Sequence, residues 1–167
     1  MEETEFNIRV LSLRDKMFRF ARSILSRWDE AEDVTHDTLE KLWRQREVLD
    51  GCRDVEAFAM TSVRNGCYDQ LRRQKTSDEG TLSLLPVAEA EAERAEVREI
   101  VAKAMAGLSP KLREVLHLKD IEGYAIYEIA EMLEVEENQV RTILSRARKG
   151  LRKTIEKMEY GTIGGRY

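Results

Sequence analysis

Apolar residues recur every three or four positions over long stretches of this chain, and that period predicts helices. Ile8, Leu11, Phe18, Ala21, Leu25 and Trp28 form a first broad stripe. Asp29 stands three residues before Glu32, ahead of Val34, Thr38 and Leu42, which reads as a capping-box-like start for a second helix. A third is predicted over about residues 55–74, with Met60, Val63, Cys67 and Leu71 on one stripe, so Cys67 is expected in the core. Its other side carries Phe58, Asn65, Tyr68 and Arg72, with Arg64 and Arg73 beside them. Aromatic, amide and guanidinium groups turned away from a core suit stacking on unpaired bases and gripping phosphates. Phe58 and Tyr68 suit packing against a neighbouring helix equally well.

Further along, Ser109-Pro110 marks a helix start, with the serine as cap and the proline in the first turn. Leu112, Val115 and Leu116 give that helix its buried face, and Gly123 ends it. Ile126, Ile129, Ala130 and Leu133 predict a short amphipathic helix, and the connection EVEEN follows. The last helix buries Val140, Leu144, Ala147, Leu151 and Ile155. Its outer rows are Arg141, Ser145, Arg148 and Arg152 beside Thr142, Arg146, Lys149 and Lys153. Two short helices joined by a tight turn, the second basic outside, describe a helix-turn-helix able to present base readers and phosphate clamps. A four-helix interaction bundle with a charged face has the same pattern.

Between these halves, residues 76–96 hold a Gly, a Pro, a Ser/Thr cluster and an acidic Ala-Glu run, the composition of a linker that leads into the next helix. The 167 residues contain only two prolines and nine glycines, which favours helices over a sandwich or barrel. The expected fold is all-α: two small helical domains joined by a flexible linker, the C-terminal one a helix-turn-helix. With two cysteines, two histidines and no apolar run long enough for a membrane span, neither a disulfide framework nor a metal cage is expected. The acidic start MEETEF lacks the apolar core of a secretory signal, so a cytoplasmic protein is expected. The net charge of −4 is unevenly spread. Residues 77–137 carry 15 acidic and 6 basic side chains, whereas residues 138–167 carry 2 and 8, a polarity that suits a polyanionic partner.

Three blocks carry a resemblance. FARSILSRWDEAEDVTHDTLEKLW, AFAMTSVRNGCYDQLRRQK and LSPKLREVLHLKDIEGYAIYEIAEMLEVEENQVRTILSRARKGLRK, in this order and spacing, resemble the bacterial extracytoplasmic-function (ECF) sigma factors. The resemblance implies a region 2 domain over 1–75, a linker over 76–95, a region 4 helix-turn-helix domain over 96–160 and a tail over 161–167. It implies a non-enzymatic subunit that gives core RNA polymerase its promoter specificity and needs no cofactor or metal. Its partners would be core polymerase, promoter DNA and an anti-sigma factor. AEDVTHD matches the family's clamp-binding helix, which assigns polymerase binding to Glu32, Asp33, His36 and Asp37. Unpaired −10 bases would meet Phe58, Arg64, Asn65, Tyr68, Arg72 and Arg73. The −35 duplex would be read by Arg141, Thr142, Ser145 and Arg146, with Arg148 and Lys149 near phosphates.

The chain departs from the family pattern in places. His36 stands where Gln is usual, and Phe58 keeps an aromatic where Trp is common. Ala125 replaces a capping Ser, Glu134 replaces the Gly of the turn, and Ile143 takes a position often held by Arg. Glu136 and Glu137 bring acid to the entry of the reading helix. A stand-alone helix-turn-helix regulator would also explain the basic last helix, but it leaves AEDVTHD and the Phe58/Asn65/Arg72 face without a role. An enzyme is disfavoured, since the chain offers no Gly-rich phosphate loop, no nucleophile–base pair and no metal-ligand spacing. Finally, the acidic residues of 77–99, or the acidic clamp helix, could compete with DNA for the basic last helix and so mask it in the free protein, whereas a merely solvated linker and helix start has the same composition.

Overall fold

A computed structural model describes residues 1–74 and 92–164. The chain folds as α1 (Glu3–Arg9), a 3₁₀ turn (Leu11–Leu13), α2 (Arg14–Ile24), α3 (Trp28–Arg44), α4 (Arg46–Asp50) and α5 (Val55–Gln74). The second half holds α6 (Ala92–Ala106), α7 (Pro110–Leu116), a π turn (His117–Ile121), α8 (Ile126–Leu133) and α9 (Glu137–Gly164). The expected linker lies outside the described residues as far as 91, and so does the end of the expected tail from 165 onward. Helix α9 itself continues to Gly164.

Helices α2, α3 and α5 pack against one another around Met17, Phe20, Ile24, Leu25, Leu42, Met60 and Val63, all at most 1% exposed. The first predicted stripe is not one helix. The chain turns at Val10, and the stripe divides among α1, the 3₁₀ turn, α2 and the start of α3, which leaves Ile8 69% exposed. The predicted cap at Asp29 also moves: α3 already begins at Trp28, and Asp29, inside its first turn, pairs with Arg27 at 3.1 Å. Cys67 is wholly buried in α5, as its stripe predicts. Gly66 brings α5 close to α3, because a Cβ there would lie 2.9 Å from Val34 Cγ1.

In the second half, Ser109 caps α7 by accepting a hydrogen bond from the Leu112 amide at 3.4 Å, and Pro110 follows in the first turn. The π turn closes with Glu122 N donating to His117 O at 2.9 Å, and Gly123 leaves it at φ +77°, a value glycine adopts without strain. Ala125 offers no side-chain acceptor to start α8. The first turn is held from the other direction, Ala125 N donating to Glu128 Oε1 at 3.3 Å. Val140, Leu144 and Ala147 of α9 are buried, and α6, α7 and α8 all pack on that helix.

The two halves are docked on each other. Helix α7 lies against α2, and α8 against α5. A continuous cluster of buried apolar residues runs from Phe6 to Ala147 through both halves.

Candidate polymerase and nucleic-acid interfaces

Three groups of candidate side chains occupy different surfaces. Glu32, Asp33, His36 and Asp37 are all exposed on α3, at spacings that hold them on one side of the helix. Beside them opens a cleft of about 280 Å³ lined by Arg14, Asp15, Phe18, Trp28, Glu32, Asp33, Thr35 and His36. Phe18 and Trp28 meet edge to face in its wall, with centroids 4.6 Å apart. The face is thus a mixed acidic and aromatic surface, able to take basic and apolar groups.

The α5 candidates divide. Asn65, Arg72 and Arg73 are exposed, and Phe58 is half-buried against the core. A second cleft, between α3 and α5, is lined by Asp37, Lys41, Ser62, Asn65, Asp69, Gln70 and Arg73 among others. Arg72 pairs with Asp69 on its own helix. Arg64 and Tyr68 are turned the other way, under the C-terminal half. The Arg64 guanidinium stacks over the Tyr68 ring at 4.6 Å and forms a fork with Glu114 of α7: Nε donates to Oε2 at 2.8 Å and Nη2 to Oε1 at 3.1 Å. The Glu114 side chain is wholly buried and that of Arg64 is 21% exposed. Burial acts against the Arg64 charge, but the hydrogen bond and charge of Glu114 outweigh it and hold the guanidinium above its ordinary range. Burial, then the Glu114 charge, pushes the Tyr68 hydroxyl up.

Alongside the shared apolar cluster, further polar contacts join the halves. Arg113 donates from Nε to Ser23 O at 2.7 Å and from Nη2 to Ile24 O at 2.8 Å. Its guanidinium therefore sits on the last carbonyls of α2, where the helix dipole is negative. Arg19 holds Glu122 at 2.8 Å, and Tyr124 Oη donates to Glu56 at 2.8 Å while Lys16 reaches the same oxygen at 2.6 Å. Phe20 stacks on His117 with centroids 6.0 Å apart. Burial lowers the His117 pKa to about 4, against the pull of Glu122 3.4 Å away. None of these partners was singled out from the sequence. The signal was a run of charged residues on the N-terminal part of a predicted helix, and such a run reads as solvated.

The last helix is open. Arg141, Thr142, Ser145, Arg146, Arg148 and Lys149 are all exposed. Most of the acidic segment expected to mask them, residues 77–91, lies outside the described residues. Arg141 donates to Asn138 Oδ1 at 3.0 Å within its own turn. Arg148 is forked to Asp120 of the same half, at 3.1 and 2.5 Å. Ile143 is half-buried and packs on the core, so this position serves packing where the family often has Arg. Glu134 takes the left-handed conformation, φ 55° and ψ 47°, that the family's glycine would adopt freely.

Residues 10–77 match the Sigma-70 region 2 family and residues 98–151 the Sigma-70 region 4 family. The ECF RNA polymerase sigma factor SigL of Mycobacterium tuberculosis is 29% identical over 150 residues, 85% of this chain and 84% of that protein. SigX of Bacillus subtilis, of the same class, is 26% identical over 169 residues, 93% of this chain and 86% of its own length. The sigma factor RpoE of Bartonella quintana, solved in complex with the anti-sigma factor NepR, superposes with a TM-score of 0.78 at 25% identity, covering 91% of this chain and 97% of that one. The chain belongs to the extracytoplasmic-function family of RNA polymerase sigma factors, and its function is promoter-specific transcription initiation. Among the described residues, no helix is long and apolar enough to cross a membrane.

Proposed function

We propose that each surface takes one part of that task. The exposed acids of α3, with the adjoining aromatic cleft, dock on core polymerase. Asn65, Arg72 and Arg73, with Phe58, and with Arg64 and Tyr68 once uncovered, receive the unpaired −10 strand. The outer rows of α9 enter the major groove of the −35 duplex, Arg141 and Arg146 reading base edges, Thr142 and Ser145 adding hydrogen bonds, and Arg148 and Lys149 clamping phosphates. The observation that carries this reading is the separation of acidic and basic faces: a negative surface on α3 and a basic, exposed α9. An anti-sigma factor is a further partner, supported by the complex in which the RpoE relative was solved.

Footprinting of the holoenzyme on a mapped promoter tests the α9 assignment. R141A and R146A should each weaken −35 recognition by about 1–3 kcal/mol and relax the preference at one base pair, whereas K157A should do neither. Equal, sequence-independent losses in all three would reduce these side chains to phosphate contacts. On the −10 side, N65A should slow open-complex formation and leave binding to core unchanged. Normal opening by N65A would remove that residue from the −10 surface.

A further inference from the structure

Arg141, the first of the base-reading side chains assigned to α9, is held by a neighbour in its own turn. Asn138 is exposed in the first turn of that helix, and Arg141 Nη1 donates to its Oδ1 at 3.0 Å. Thr142 Oγ1 donates to the Asn138 carbonyl at 2.9 Å, so both outer rows of α9 start from this residue. We propose that Asn138 is a further reading residue for the −35 duplex: its amide oxygen fixes the Arg141 guanidinium, and its amide nitrogen donates to an acceptor on the adjacent base pair. This rests on the assignment of α9 to the −35 major groove.

The chemistry of the pair sets what it reads. A guanidinium only donates, so the amide must turn its oxygen toward Arg141, which leaves the Nδ2 hydrogens for another acceptor. The bond draws on Arg141 Nη1, and the Nε–Nη2 edge is a fork that matches O6 and N7 of a guanine. The pair thus presents donors at two neighbouring points. G, A and T each offer an acceptor in the major groove, whereas C offers the N4 donor, so a cytosine facing Nδ2 is rejected. Gln139 Oε1 accepts from the Glu136 amide at 2.9 Å and closes the helix start, so that bond does not call on the Asn138 amide. In helix-turn-helix complexes the N-terminal residues of the second helix are the ones that reach base edges. Holding Arg141 before DNA arrives also lowers the ordering cost of its contact.

Holoenzyme formed with the full-length chain tests the proposal on a mapped promoter whose −35 base pairs are replaced in turn. Promoter affinity is compared for wild type, N138A, N138D and R141A. N138A should lose about tenfold in discrimination at the base pair beside the one that R141A relaxes, and a smaller part at the Arg141 base pair itself. N138D keeps an acceptor for Arg141 but presents oxygen where the amide presents N–H. It should therefore hold the Arg141 preference and shift the adjacent one toward cytosine, whose N4 donates to a carboxylate. A residue that only supports the helix would not exchange one preferred base for another, and the thermal melts of both Asn138 variants should match the wild type. If R141A relaxes one base pair while N138A and N138D retain every wild-type preference, this inference alone falls. A loss that is uniform across sequences makes Asn138 a phosphate contact and overturns it as well. If R141A relaxes no base pair, the −35 assignment of α9 falls and takes the inference with it.

Discussion

Arg64 and Glu114, fifty positions apart in the chain, share two hydrogen bonds across the docked halves, with the carboxylate wholly buried. Their exposures make the two truncations unequal. R64A leaves a buried carboxylate without its partner and should cost about 3 kcal/mol, up to the free energy of undocking. E114Q leaves an acceptor in place beside a guanidinium that reaches solvent, and should cost less. Denaturation of the two full-length variants checks the order; small, equal losses would mean that the pair adds nothing to docking.

His117 makes the stability depend on pH. Its folded pKa of about 4 lies below its ordinary 6.5, because burial disfavours the charged ring. The unfolded chain therefore binds a proton that the folded chain refuses, and stability is lost as pH falls through 6.5 toward 4. Between pH 7.5 and 5 this group accounts for roughly 2 kcal/mol. Lys16 holds Glu56 low, and Arg19 holds Glu122 low despite burial, so both carboxylates contribute losses of the same sign at more acidic pH. Urea titrations at the two pH values should show the loss in the wild type and a much smaller one in H117F.

What could be read from the sequence was whatever depends on period and local chemistry. The α5 boundaries, the Ser109 cap and the buried stripe of α9 follow from spacing alone. The break at Val10 did not, because a stripe continues through a turn when both segments face the same core. The docking of α7 on α2 was hidden for a different reason: Arg113, Glu114 and Glu122 are charged, and only a partner fifty or a hundred residues away makes their burial tolerable. Charge counting pointed to the acidic residues of 77–99, most of which lie outside the described residues, and passed over the docking contact. It weighed the net charge of segments, while the contact is made by individual pairs.

Two helix glycines should respond differently to alanine. A Cβ at Gly66 would meet Val34 Cγ1 at 2.9 Å, on a β-branched side chain that has little freedom to move. G66A should therefore cost about 1–3 kcal/mol despite the better helix propensity. At Gly150 the obstacle is Leu108 Cδ2, the end of a side chain that can rotate, so G150A should be near neutral. Thermal melts of both variants decide it, and equal losses would contradict the asymmetry.

Glu134 carries left-handed strain that a glycine would relieve. E134G should stabilise the C-terminal half by about 1 kcal/mol, with the −35 preference unchanged. A loss of stability would mean that the side chain makes a contact worth more than the strain.

Transcription by purified core polymerase on a genomic fragment library, with start sites mapped with and without this chain, tests the central claim most directly. The chain should create a discrete set of new starts that share upstream −35 and −10 sequences, and R141A/R146A should shrink or shift that set. Starts identical to those of core polymerase alone, or no binding to core at all, would contradict the account.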